Sequence, residues 1–174
     1  MKFVFKIPSL SSKPNKTIGG YIGYYKLTDW WLTEFSEEER KYMENTYHPM
    51  GYSPNGNCLT EGSITSSSSS ASNFLNGLSS WFTGPEYRHL ARKILQKAQE
   101  LNKQADGGNK NVLDEHFALS EMIPIYYRDR ERDGMLDKAI EACKKQILLA
   151  SQAKLAFLKE YPQQTLPSHQ GYEQ

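Results

Sequence analysis

The stretch PEYRHLARKILQKAQELNK, residues 85–103, has the clearest periodic pattern in the chain and decides its fold class. Its apolar residues recur three and four positions apart, and lysine, glutamate and glutamine fill most of the positions between them. The apolar stripe consists of Leu90, Ala91, Ile94, Leu95, Ala98 and Leu101. Such a stripe predicts an amphipathic α-helix with one buried face, and the Gly84-Pro85 pair marks its beginning.

Two later segments repeat this periodicity. Residues 111–128, NVLDEHFALSEMIPIYYR, predict a second long helix, and a third begins after Gly134 and ends before Pro162. Between them lies the charge cluster RDRERD, residues 128–133, whose signs alternate and nearly cancel. We interpret this cluster as a solvated turn between two helices, and a binding strip for a charged partner is the alternative.

The composition of the chain changes along its length. Residues 1–55 form an aromatic-rich segment with short helices, in which Ser36 and Glu39 have the spacing of a capping box and a helix ends near Tyr47. Residues 56–72 are rich in serine and predict a flexible loop without apolar residues to order it. Residues 73–174 then form a helical domain.

Charge and hydropathy exclude several classes of function. The 174 residues carry a formal net charge of +1, which argues against a nucleic-acid binder. No apolar run reaches the length of a membrane span, so we expect no membrane association. The two cysteines lack metal-type spacing and fit a reducing cytoplasm. We expect Cys58 to be exposed in the loop and Cys143 to be buried on an apolar helix face.

The histidines raise the possibility of a metal site. Glu86 and His89 stand three positions apart, the spacing that carboxylate-bridged di-iron helices use. A small helical metal protein or enzyme that uses Glu86, His89 and His116 is therefore the alternative function. A second such pair is missing, and no phosphate-loop, dinucleotide or hydrolase motif occurs. We accordingly predict no catalysis and no cofactor.

The helices after Pro85 resemble tetratricopeptide (TPR) repeats, which are helical pairs with a period of about 34 residues. The closing-helix pattern of small, large and small residues occurs in LARKILQKA and, less fully, in LDKAIEACKKQ. The opening-helix positions in LSEMIPIY are filled by Leu119, Met122, Ile123 and Tyr126. Ile123 stands where the family carries a small residue. The chain looks like the N-terminal part of a bacterial-type member.

This resemblance implies an all-α fold of antiparallel helical hairpins, stacked as in TPR proteins and preceded by an irregular aromatic-rich segment. It also implies a protein–protein interaction module, whose groove binds a peptide or helix of a partner protein. The outward positions of the opening helix would line that groove, and in this sequence they are Ser120, Tyr127 and Arg128.

The last predicted helix has apolar residues on more than one face. In addition to the stripe that begins at Leu136, this helix carries Leu148, Leu149, Leu155, Phe157 and Leu158. Because an exposed apolar face is unfavourable, we expect the N-terminal segment to fold back over it. The alternatives are that a partner chain covers this face or that the chain is a shortened version of a longer repeat array. The covering residues would be Trp30, Trp31 and Phe35.

Overall fold

The computed structural model describes residues 18–50, 56–104, 109–167 and 169. Every regular element in these ranges is a helix, which confirms the all-α class. In chain order the helices are α1 (Gly20–Tyr24), α2 (Thr28–Glu34), α3 (Glu37–Thr46), α4 (Ala71–Ser79), α5 (Arg88–Gln104), α6 (Asn109–Arg128) and α7 (Met135–Glu160), with a short 3-10 turn at Ser80–Phe82. Residues 1–17 and 51–55 of the predicted N-terminal segment lie outside the described residues.

Helix α3 begins and ends where the sequence predicts. The Ser36 hydroxyl accepts a hydrogen bond from the Glu39 amide, and the Glu39 carboxylate accepts one from the Ser36 amide at 2.8 Å. This reciprocal capping box satisfies two amides that a helix start otherwise leaves without partners. The helix ends at Thr46, one residue before Tyr47.

The main hydrophobic core joins residues from all three predicted segments. Trp31 and Phe35 of the aromatic segment belong to the same buried cluster as Leu90 and Ile94 of α5. Cys58 and Leu59, from the segment predicted as a loop, are also members of this cluster. The described part of the N-terminal segment is therefore packed into the helical part of the protein.

Two glycines allow the 58–62 segment to reach the core. The amides of Gly19 and Gly20 donate to the carbonyls of Thr60 and Gly62, each at 2.9 Å, and the next two amides donate to Cys58 and Leu59. Gly20 has a φ of +56°, and a Cβ there would lie 2.5 Å from the Cys58 carbonyl oxygen. Only glycine permits this backbone approach without strain.

The predicted order of exposure, with Cys58 exposed and Cys143 buried, is wrong. The Cys58 side chain is 1% exposed, whereas Cys143 on α7 is partly exposed. The reason is the backbone pairing with the start of α1, which draws Cys58 inward although it lies outside any helix. Burial raises the pKa of both thiols.

For the described residues 18–50, the predicted fold-back of the N-terminal segment over the last helix is also wrong. Phe35 instead lies under the Lys93 ammonium of α5, 5.3 Å from the ring centre, and Lys93 donates to the Glu34 carbonyl at 2.9 Å. Trp31 is buried in the same cluster, and Trp30 packs against it. The rings of Trp31 and Phe35 are thus packed in the main core, where Phe35 contacts Lys93 of α5. Six large aliphatic residues of α7 remain exposed.

Helices α4 to α7 pack against one another in chain order. Contacts join α4 to α5, α5 to α6 and α6 to α7, and α4 also contacts α6. Consecutive packing is expected of helical hairpins, and the TPR-type stacking stays a prediction. In the described part of the chain, no helix combines the length and the apolar character that a bilayer span requires.

We predict that Cys143 reacts with a thiol reagent faster than Cys58 in the native protein. A buried thiol is reached only when the structure opens, whereas Cys143 is partly exposed. Mass spectrometry of the labelled peptides over time measures the two rates, and urea-unfolded protein provides the control in which both react rapidly. Faster labelling of Cys58 would contradict its burial.

We predict that Gly20→Ala lowers the free energy of unfolding by about 2 kcal/mol or more, because of the positive φ and the crowded backbone. Gly77→Ala is the matched control, since nothing lies within 4 Å of a Cβ at this exposed site in α4. That change should raise stability by up to about 1 kcal/mol through helix propensity. Urea titration of both variants measures the two changes. If Gly20→Ala unfolds at the same urea concentration as the unmodified chain, the 58–62 segment does not need glycine at position 20.

Candidate interaction groove

The buried and exposed faces of α7 differ in residue size. Four of its six buried residues are alanine, and the six are Ala139, Ala142, Gln146, Ala153, Ala156 and Phe157. Six larger aliphatic residues of α7 are exposed instead, and we call this set the outer face: Leu136, Ile140, Ile147, Leu148, Leu155 and Leu158. Leu148 is 82% exposed and Leu155 is 70% exposed. Helices that pack only within one chain usually bury their large apolar residues.

A groove lies between the end of α6 and the first half of α7. Its volume is about 220 Å³. Ile123 and Tyr127 of α6 form one wall, and the residues of α7 that complete it are Leu136, Ala139, Ile140, Cys143, Lys144 and Ile147. Three members of the outer face therefore line this groove. We call it the α6–α7 groove.

A buried ion pair holds the turn that closes one end of this region. Asp129 follows α6 directly and is 7% exposed, and its two carboxylate oxygens accept hydrogen bonds from Arg88 and Arg92 of α5. Arg88 also donates to the Thr83 carbonyl at 3.3 Å. The RDRERD cluster is a turn, as predicted, but its second residue is not solvated. The sequence pattern shows alternating charge and gives no sign that one of these charges is buried.

The three predicted partner-binding residues occupy different positions. Tyr127 lies in the α6–α7 groove, half exposed, with the Arg130 guanidinium 4.8 Å from its ring centre. Arg128 is exposed at the end of α6. Ser120 contacts α7 instead: its hydroxyl accepts a hydrogen bond from the Gln146 amide at 2.6 Å. The structure thus brings Tyr127 and Arg128 to the same end of α6, and the binding role of all three stays a prediction.

The structure does not bring Glu86, His89 and His116 together as a metal site. The His89 Nε2 atom lies 2.9 Å from a Glu39 carboxylate oxygen, and its Nδ1 atom faces the Glu86 backbone carbonyl at 3.0 Å. His116 is buried and faces a different region, next to α7. Among the described residues, no three His, Cys, Asp or Glu side chains are close enough to bind one ion.

Glu39 is ionised in this arrangement. Burial opposes its charge, yet hydrogen bonds from the Ser36 amide and from His89, together with the Lys93 ammonium, hold the pKa of Glu39 below its ordinary value. The contact with His89 therefore connects α3 to α5 as a structural link.

A second apolar cavity, of about 200 Å³, lies beside the last part of α7. Leu113 and Phe157 form part of its wall, and the imidazoles of His116 and His169 lie 5.4 Å apart between ring centres. Burial, and then the neighbouring His169, lower the pKa of His116, which keeps this imidazole neutral at pH 7. Sequence periodicity places His116 on a helix but does not indicate this cavity.

Comparisons with known proteins do not place the chain in a family. No protein-family model, curated protein or solved structure matches it. The TPR-type resemblance thus stays a prediction that rests on the repeat-like motifs. The function of the α6–α7 groove has to be inferred from its own geometry.

We predict that Asp129→Asn lowers the free energy of unfolding by about 3 kcal/mol, because it leaves two partly buried guanidinium groups without their anion. Asp133→Asn is the matched control: it changes an exposed carboxylate of the same turn and should alter stability by less than about 0.5 kcal/mol. Urea unfolding followed by circular dichroism measures both. Equal effects of the two substitutions would mean that the buried ion pair does not hold the turn.

Proposed function

We propose that this protein is a non-catalytic interaction module that binds a peptide or helix of a protein partner in the α6–α7 groove and along the outer face of α7. The observation that carries the proposal is the reversed size pattern of α7, with alanine inside and leucine or isoleucine outside. An exposed apolar surface of this kind marks an interaction site in a folded protein.

The residues around the groove are of types that interfaces favour. Tyr127 offers a large half-exposed ring, Lys144 supplies charge in the groove lining, and the exposed Arg128 follows Tyr127 in the chain. Tyrosine and arginine are enriched among residues that contribute most of the binding energy at interfaces. An apolar floor with a polar rim is the usual arrangement of such surfaces.

The Cys143 thiol, which lines the groove, is poorly suited to nucleophilic catalysis. Burial raises the pKa of Cys143, so this thiol remains protonated at neutral pH and is a weak nucleophile. This supports a binding function over covalent chemistry at the groove. Both cysteines are unpaired, which fits a reducing compartment, and we place the protein in the cytoplasm.

A photo-crosslinking experiment in the native cell tests this function. A photoreactive amino acid at Tyr127 should give a discrete protein adduct, because this side chain lies in the groove. The same group at Glu38, an exposed position on α3, is the matched control and should not give that adduct. Adding Ile140→Glu should remove the adduct at position 127, since it places a charge in the apolar groove.

Two results would argue against the proposal. One is the absence of any protein adduct at position 127 across growth conditions. The other is the same set of adducts at positions 127 and 38, which would indicate contacts without a specific site. Identification of the adduct by mass spectrometry names the partner.

A further inference from the structure

We infer that the partner of the outer face is the α7 helix of a second copy of this chain, packed antiparallel about a two-fold axis between Ile147 and Leu148. The inference rests on the proposed interaction function and identifies its partner. A two-fold interface requires a surface that is complementary to itself. The residues of α7 meet this condition in their apolar pattern, in their polar positions and in their charges.

The apolar residues are arranged symmetrically about that point. In an antiparallel pair, residues equally distant from the axis lie at the same level. Ile140 is seven residues before Ile147, and Leu155 is seven residues after Leu148. At about 100° per residue, the six residues of the outer face lie within roughly one third of the helix circumference. Each copy would therefore place its leucines and isoleucines against those of the other.

The ends and the interruptions of the outer face follow the same symmetry. Leu136 and Leu158 end it, eleven residues before Ile147 and ten after Leu148. Lys144 and Ser151 interrupt it, three residues before Ile147 and three after Leu148. The lysine of one copy would thus meet a small hydroxyl side chain of the other, which leaves space for its ammonium group to reach solvent.

The charges of α7 favour the antiparallel arrangement. In an antiparallel pair, an acidic residue near the start of one α7 helix comes beside a lysine near the end of the other. Asp137 comes within one residue of the level of Lys159. No lysine of one helix lies level with a lysine of the other. A parallel pair would instead set every lysine beside its own copy, including Lys144 in the middle of the apolar surface, and like charges repel.

The length of the outer face also favours a whole helix over a short peptide. From Leu136 to Leu158 it extends for roughly 33 Å at 1.5 Å per residue. A peptide of one or two turns would cover only part of it. The α7 helix of a second copy covers all of it, and antiparallel helix dipoles add a small favourable contribution.

The first experiment measures self-association of the full chain by sedimentation equilibrium. We expect a dimer at micromolar concentration and a dissociation constant about a hundredfold weaker in Leu148→Glu, because the change places a charge beside the axis. Leu148 is 82% exposed in the single chain, so this substitution leaves folding intact. Leu32→Glu on α2 is the matched control, an exposed leucine outside α7 that should not affect the dimer.

The second experiment tests the antiparallel geometry by disulfide formation, in a Cys143→Ser background. Leu148→Cys should form a disulfide-linked dimer rapidly under mild oxidation, since its two copies lie beside the axis. Leu136→Cys is the control, because its two copies would lie roughly 34 Å apart along the helix. Mixing Leu136→Cys with Leu158→Cys should give a linked heterodimer. In a parallel pair, Leu136→Cys and Leu148→Cys would each form a disulfide-linked dimer equally fast.

Several outcomes would overturn the inference. The first is a chain that stays monomeric at 100 times the concentration used in the sedimentation experiment. The second is a dimer whose dissociation constant is unaffected by Leu148→Glu. The third is rapid formation of a disulfide-linked dimer by Leu136→Cys alone. A monomer in which Leu148→Cys resists thiol reagents would mean that another part of the same chain covers the surface. If the chain is monomeric but position 127 still crosslinks to a different protein, the proposed function stands and only the second-copy inference fails.

Discussion

The close packing of α7 on α6 through alanine determines which surfaces the protein presents. Small side chains allow the two helices to approach, but they bury little apolar area, so α7 needs other interactions to fix its position. Gln146 provides one: it is fully buried, and its amide donates to the Ser120 hydroxyl at 2.6 Å and to the His116 carbonyl at 3.3 Å. Sliding of α7 along α6 would leave these buried groups without partners, which is costly. The register of α7, and with it the position of the outer face, depends on this polar contact.

At the other end of the molecule, the first short helices depend on a neighbouring loop. Helix α1 has five residues, too few to be stable in isolation, and its first amides donate to carbonyls of residues 58–62. This pairing brings Cys58 and Leu59 into the core with Trp31 and Phe35. The aromatic part of the chain and the long helices consequently form one structure.

The sequence predicted well which segments are helical and predicted poorly which helices pack against each other. Periodicity identified the long helices, and the Ser36–Glu39 spacing identified the start of α3, because these signals are local. The burial of Asp129 was missed because it depends on two arginines about forty residues earlier in the chain. Trp31 and Phe35 were expected to cover an apolar face, but periodicity cannot say which helix a face contacts. Tyr127 lies in the α6–α7 groove, and its partner-binding role stays a prediction. The α7 wall of this groove was not predicted, because that face of the last helix was expected to be covered.

Glu39 uses its two carboxylate oxygens for different purposes, and this has a consequence for how the protein opens. One oxygen caps the start of α3 through the Ser36 amide, and the other contacts His89 and Lys93 of α5. Fraying of α3 and its separation from α5 therefore disturb the same side chain. Local opening of this region is accordingly cooperative: the first turn of α3 and its junction with α5 form and break as one unit, although a helix end on its own would fray independently.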